Sequence, residues 1–221
     1  FSHLIKKIQE ASSLIPAKDY PGNSQYLMKY FAQLFLALLM LIGVQATTIA
    51  QTELANAMQD GHHVLLMRHA DAPGYGDPQG YQLTQCSTQR NLGERGIKQA
   101  QAIGAWLDKQ GITKAQVYSS PWCRCFDTAS LLHKGSVKKE VALGSFFDDM
   151  SQAKKQTEDL AKLIQTERNK YPKSPIIMVT HHVNIESFTG KILNSGDMIL
   201  VKVNSSGQAV SHKLYPSPTN P

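Results

Sequence analysis

Short apolar runs that stop abruptly at polar residues alternate along this chain with longer stretches whose apolar residues recur every three or four positions. Val64-Leu65-Leu66-Met67 is the first run, and it breaks at Arg68-His69. Ala115–Ser119 and Ile176–Val179 read as further short strands, followed by Ser120-Pro121-Trp122-Cys123-Arg124 and by Thr180-His181-His182. An unbroken apolar run bounded by polar residues suits a strand buried on both faces, as in a parallel sheet. The helical stretches fall between them. In Leu92–Gln110, Ile97, Ala100, Ile103 or Gly104, and Leu107 share a face, and Gly111 closes the helix. Ser120-Pro121 starts a helix over Trp122–Leu132, since serine can cap and proline lacks an N–H that would be unpaired anyway. Gln152–Lys170 is amphipathic through Leu160, Leu163 and Ile164, and Asn184–Leu193 reads as helix. Residues 51–60 form a short lead-in with Leu54, Ala55 and Met58 on one face, and Val141–Phe147 is an irregular apolar segment. Met198–Val203 and Ala209–Leu214 close the pattern as two strands around Ser205-Ser206-Gly207. Pro73, Gly74, Gly76, Pro78 and Gly80 mark a long loop after the first strand, and Pro216, Pro218 and Pro221 a loose tail. Alternating strand and helix predicts an α/β fold, a three-layer sandwich on a mostly parallel sheet.

The amino-terminal part departs from this pattern. Residues 30–46 are uncharged and largely apolar, follow Lys29 and end in Val44-Gln45-Ala46. The run is short beside the roughly 20 apolar residues of a membrane span. Its small residues suit a signal-peptidase site, so it reads as a secretory signal peptide, ahead of an uncleaved anchor or a buried helix. The expected organisation is an extension and signal over 1–46, with Met28 a natural start, and one domain over 47–221. That predicts a periplasmic or secreted bacterial protein with no membrane span after cleavage. Export makes the cysteines matter: Cys86 can pair with Cys123 or with Cys125. A Cys-x-Cys metal site lacks a second pair, so no metal is expected. The net charge of +6 fits an anionic substrate. No dense Lys/Arg run with interleaved aromatics points to nucleic acid, and no internal repeat is visible.

Ligands of open α/β sheets bind beyond the carboxyl ends of the strands. Arg68, His69, Arg124 and His181 stand at such ends, beside the start of a helix, which is itself an anion site. Arginine is a permanent, forked cation suited to oxyanions. Histidine can be a nucleophile or a proton carrier near neutral pH. Leu66-Met67-Arg68-His69-Ala70-Asp71-Ala72, Leu92-x-x-x-Gly96-x-x-Gln99-Ala100, Ser119-Ser120-Pro121-x-x-Arg124-x-x-x-Thr128-Ala129 and Met178-Val179-Thr180-His181 stand in the order, and at the separations, of one family. Over about 63–214 the chain resembles the histidine phosphatase (phosphoglycerate mutase-like) superfamily. It looks most like small bacterial phosphohistidine phosphatases. Its export and its Cys86-to-Asn91 stretch are similar to the lipopolysaccharide core heptose phosphatase group.

The resemblance implies a phosphoglycerate mutase-like fold and a phosphatase acting on a small phosphorylated substrate without metal or cofactor. His69 becomes the nucleophile that carries the phosphoryl group, and Arg68, Arg124 and His181 hold its oxygens. The chain also departs from the family. Ala70 stands where glycine is usual, and Ser145 stands where many members carry a glutamate acid. Asp148 is the acid of choice, with Asp149 and Asp71 as alternatives; such an acid contributes typically about 10²–10⁴-fold. Tyr75 replaces an asparagine of mutase-type members, which argues against a sugar-phosphate mutase. Tyr75, Arg90 and His182 are the candidate substrate contacts, Arg90 at the substrate's remote part. The plainer reading of Arg90 is a surface residue beside a cap at Asn91, and of His182 packing beside the pocket. His62 and His63 read as solvated, His133 as a helix-end cation, and Trp106, Cys123 and Cys125 as packing residues. Other activities remain open: a narrow phosphohistidine or phosphoanhydride hydrolase, a non-catalytic phosphate-binding module, or a metallohydrolase built on His69, His181 and His182.

Overall fold

The computed structural model describes residues 52–218. The apolar run at 30–46, the cleavage site after Ala46 and the Met28 start lie outside the described residues. Among the described residues no helix is long and apolar enough to cross a membrane.

Six strands form one sheet: β1 (His63–Arg68), β2 (Gln116–Ser119), β3 (Val137–Lys139), β4 (Ile176–Thr180), β5 (Met198–Val203) and β6 (Ala209–Tyr215). Their order is β3-β2-β4-β1-β5-β6, parallel from β3 to β1, with β5 antiparallel to both β1 and β6. β1 lies inside the sheet, and its alternating side chains serve both faces. Leu65 and Met67 pack under α1 (Glu53–Met58), α2 (Glu94–Lys109) and α3 (Cys123–Leu131), with Ile103, Leu107 and Ala129. Val64 and Leu66 pack under α4 (Ala153–Lys170) and α5 (His182–Thr189), with Leu160, Ile164 and Ile185. All four residues of the run are fully buried, each contributing roughly 1.5–3 kcal/mol. This is the expected three-layer α/β arrangement.

Several boundaries differ from the sequence reading, for local reasons. α2 starts at Glu94 behind Gly93, not at Leu92. Asn91 does not cap it, because its amide turns back to the carbonyls of Cys86 and Gln89 at 2.6 and 3.0 Å. Ile97, expected on the apolar face, is 40% exposed. α3 starts at Cys123 with Trp122 at its cap position, so Ser120 and Pro121 lie ahead of the helix. α5 spans His182–Thr189 and ends at Gly190, whose φ of +70° stops it before Leu193. β3 is an edge strand that the hydrophobic pattern does not announce, for Lys138 and Lys139 are exposed. His133 follows α3 with φ +54° instead of sitting in its last turn. Cys86 pairs with Cys123, and Cys125 is a buried free thiol.

Gly96 marks the tightest approach between a helix and the strand ends. A Cβ there would lie 1.9 Å from the Asp71 carbonyl oxygen. Neither backbone can yield without moving the segment that follows His69. Gly96→Ala is therefore expected to lower the unfolding free energy by about 3 kcal/mol, the upper range for overpacking. Urea denaturation reads this directly, and an unchanged midpoint would show that the contact is soft.

Candidate active site

β1 and β4 run parallel with Arg68 opposite Thr180. The next residue of each strand therefore leaves the sheet at the same level. His69 and His181 stand edge to face, their ring centroids 5.6 Å apart. Four contacts fix the backbone here. His69 N–H donates to Thr180 O at 3.0 Å, and Gly196 N–H to His69 O at 3.1 Å. Ala70 N–H donates to Thr128 Oγ1 at 3.0 Å, and that hydroxyl donates to Arg124 O at 2.6 Å. Asp71 N–H donates to Gln99 Oε1 at 2.9 Å. The spaced Gln99 and Thr128 of the sequence motifs thus hold the peptide that carries His69.

His69 Nδ1 lies 2.8 Å from Ala70 O. A carbonyl only accepts, so Nδ1 carries the hydrogen and Nε2 keeps the lone pair available for chemistry. Burial holds the imidazole well below its ordinary 6.5; Arg124, Arg68 and Arg90 add to this, against the Ala70 hydrogen bond. His181 is held down likewise, by burial first and then by His69 and Arg124. Its Nε2 lies 2.8 Å from Ser120 Oγ and 3.5 Å from Cys125 Sγ, and the Trp122 ring meets it edge on at 5.2 Å. Both histidines are neutral at neutral pH.

Three guanidinium groups surround them, and burial lowers Arg68 and Arg90 from their ordinary value, though arginine remains charged. Arg68 Nη1 donates to Leu193 O at 2.7 Å. Arg90 Nε donates to Gly76 O at 2.9 Å and its Nη1 to Ala72 O. Arg124 Nη1 meets Asp77 Oδ1 at 2.8 Å, both side chains being only 4% exposed. Asp77 also accepts from the Arg90 N–H at 2.9 Å and from Trp122 Nε1 at 3.1 Å. The Nε atoms of Arg68 and Arg124 are buried without a hydrogen-bond partner. A buried donor left unmade costs about 1–3 kcal/mol, more when charged. Two such donors beside two neutral imidazoles make a seat for an oxyanion.

The resulting cavity, about 370 Å³, is lined by all eight predicted site residues: Arg68, His69, Tyr75, Arg90, Arg124, Asp148, His181 and His182. Arg90 corrects the sequence reading. It is not the surface arginine of the plainer reading but is half-buried and lines the cavity with Arg68 and Arg124. Asp148 lies at the exposed rim and accepts from Tyr81 OH at 3.1 Å. Asp71 and Ser145 also line the cavity. Asp149 turns away to cap the 3-10 turn Met150–Gln152, accepting from Ser151 N–H at 3.1 Å. Tyr75, 88% exposed, stands edge on to Phe147 at 5.3 Å, and Phe147 meets His182 at 5.7 Å. Sequence reasoning missed Asp77, Ser120, Trp122 and Phe147 as parts of this site. Only the long Pro/Gly loop hinted at Asp77. A larger hollow of about 660 Å³, lined by Lys114, His133, Lys134 and Lys173 among others, lies at the amino ends of β2 and β4, away from the histidines. Among the described residues no group of three or more His, Cys, Asp or Glu is placed to hold a metal ion.

Residues 64–151 match the histidine phosphatase superfamily, branch 1. No curated protein matches the chain. The protein histidine phosphatase SixA, solved with tungstate, is 15% identical with a TM-score of 0.50, over 69% of this chain and 94% of that one. Phosphoserine phosphatase from Entamoeba histolytica, solved with 3-phosphoglyceric acid, is 13% identical with a TM-score of 0.52, over 71% and 98%. The product of an open reading frame of Mycobacterium tuberculosis is 14% identical with a TM-score of 0.51, over 70% and 95%. The matched residues hold the first three of the four motifs, and these structures share the fold.

Asp77 pairs with the buried Arg124, and removing it takes away that counter-charge. Asp77→Ala is expected to lower the unfolding free energy by about 3–5 kcal/mol. Urea denaturation at low ionic strength tests this, and a stability within about 0.5 kcal/mol of the parent would contradict the role given to the pair.

Proposed function

We propose that this chain, a histidine phosphatase superfamily protein, is an exported, metal-independent phosphatase that hydrolyses small phosphomonoesters through a phosphohistidine on His69. One observation carries the reading: His69, its Nδ1 committed to Ala70 O, sits neutral among Arg68, Arg90 and Arg124. Phosphoryl transfer needs positioning, and neutralisation of charge on the equatorial oxygens, more than anything else. The unpaired Nε–H donors of Arg68 and Arg124, with His181, meet those oxygens. His69 Nε2 attacks phosphorus in line as the ester P–O bond breaks, and Nδ1–H···O=C spreads the positive charge that forms. Asp148, the rim carboxyl beside Tyr81, gives a proton to the departing oxygen. Water then attacks the phosphohistidine, its proton passing to the same carboxylate, and inorganic phosphate leaves. Dividing the hydrolysis through a covalent intermediate makes two easier steps of one hard one. Arg90 and His182 complete the phosphate side, and Tyr75 with Phe147 meets the leaving group.

Ser145 supports a second reading, a narrow hydrolase of phosphohistidine or phosphoanhydrides. It lines the cavity where the family's glutamate is expected. A good leaving group needs little protonation. The Cys86–Cys123 disulfide supports export, since such bonds persist in oxidising compartments and are rare in the cytosol.

The test compares the parent with His69→Ala on p-nitrophenyl phosphate in EDTA. The parent is expected to turn over, with vanadate as a competitive inhibitor and the His69 acidic limb of kcat/KM below pH 6.5, because burial displaces the protonation of His69 in the free protein downward. His69→Ala is expected to lose at least 10³-fold in kcat. Activity retained in His69→Ala, or lost to EDTA and restored by a divalent metal, would contradict the mechanism.

A further inference from the structure

Residues 69–93 cross from the end of β1 to α2 with no regular structure longer than the 3-10 turn Cys86–Thr88. They nevertheless carry Asp77 and Arg90, both inside the cationic cavity. The crossing is docked on three consecutive residues at the start of α3. Trp122 Nε1 donates to Asp77, Cys123 N–H donates to Gln89 Oε1 at 2.9 Å, and Arg124 donates to Asp77 and, at 3.3 Å, to Arg90 O. In the middle of these contacts stands the Cys86–Cys123 bond, with a Cα–Cα distance of 5.7 Å. The other contacts of Arg90 run to Ala72, Gly76 and Asp77, within the crossing itself. They fix its shape but do not tie it to α3.

Something must hold Arg90 where it is. It faces Arg124 and Arg68, like charges that repel it in a partly desolvated cavity. The crossing holds three glycines with positive φ and no α-helix or strand, so its docking on α3 rests on these side-chain contacts and the disulfide. We propose that the Cys86–Cys123 disulfide is a positioning element of the oxyanion site and gates it by redox state. Closed, it holds Arg90 and Asp77 against Arg124, and phosphate binds tightly. Opened, it lets the crossing relax from α3, and phosphate binds weakly. For turnover this rests on the phosphatase reading above; for anion binding it does not.

Opening requires a dithiol reductant. Its thiolate attacks Sγ of Cys86, which is exposed while Cys123 is buried. The S–S bond breaks, Cys123 leaves as thiolate and takes a proton from water, and a mixed disulfide forms on Cys86. The second thiol of the reductant closes on the first and releases the Cys86 thiol. Two electrons have passed to the protein, and the reductant ends as a cyclic disulfide. Cys125 stays out of the exchange. It is buried against His181, and burial pushes its thiol up to about 12. The site is then loose under reducing conditions and forms fully where disulfides persist.

The test uses the full chain, oxidised or treated with dithiothreitol, at 10 °C. Circular dichroism reports the fold, calorimetry the affinity for inorganic phosphate, and p-nitrophenyl phosphate kinetics KM and kcat. The reduced chain is expected to stay folded, with Kd and KM raised about 10- to 100-fold, the scale of an ångström-sized misplacement, and kcat changed less. Oxidised glutathione should restore both. Cys86→Ala/Cys123→Ala should reproduce the reduced state and ignore dithiothreitol. A folded, reduced chain with unchanged phosphate affinity would overturn the proposal, and so would unfolding on reduction, because the bond would then hold the fold and not the site. Disulfide-dependent phosphate binding without turnover would overturn the phosphatase reading and leave this one standing. No phosphate binding by the oxidised chain would overturn both.

Discussion

One backbone carbonyl determines what His69 can do. Ala70 O accepts from Nδ1, and the ring is thereby oriented, its tautomer chosen and Nε2 left basic. That carbonyl is placed by its own peptide, which Thr128 holds from α3 while Gln99 holds the next from α2. Gly96 is needed so that α2 can come close enough for Gln99 to reach. Helix packing, a missing Cβ and two side-chain hydrogen bonds therefore converge on the aim of one imidazole. The Ala70 side chain does not disturb this, since the group used is the carbonyl.

A second constraint is the concentration of like charge. Arg68, Arg90 and Arg124 share a small cavity with two imidazoles, and the guanidinium charges repel one another there. Neutral carbonyls of Leu193, Gly76 and Ala72 accept from Arg68 and Arg90, and the Asp77 carboxylate pairs with Arg124. Both histidines stay neutral under the same field. An oxyanion bound among these three arginines would relieve the repulsion. Neutral imidazole is the nucleophilic form; burial first, and then the arginines proposed to hold the phosphoryl oxygens, keep it so.

Much of this was legible in the sequence because parallel strands are buried on both faces, which makes their ends conspicuous. Arg68, His69 and His181 could be placed in one site from that alone, and Arg124 from the helix that follows β2. Arg90 and Asp77 were not placed so well, because nothing periodic governs the long crossing between β1 and α2. Their positions follow from a disulfide and from contacts with α3 that are remote in sequence. The choice of Cys123 over Cys125 as the partner of Cys86 has the same origin: it depends on which side of α3 faces the crossing. Ser120 looked like a helix cap, but its hydroxyl is engaged with His181. β3 escaped notice because an exposed three-residue edge with two lysines has no hydrophobic signature.

In the proposed reaction the phosphoryl group passes through His69. The most direct measurement mixes the protein with a labelled small phosphomonoester, quenches within milliseconds in base, and maps the label by mass spectrometry. One phosphoryl group is expected on the peptide containing His69, stable in base and lost in acid, and absent when phosphate release is complete. Label on a carboxylate or another side chain, or turnover with no covalent label at any time, would contradict it.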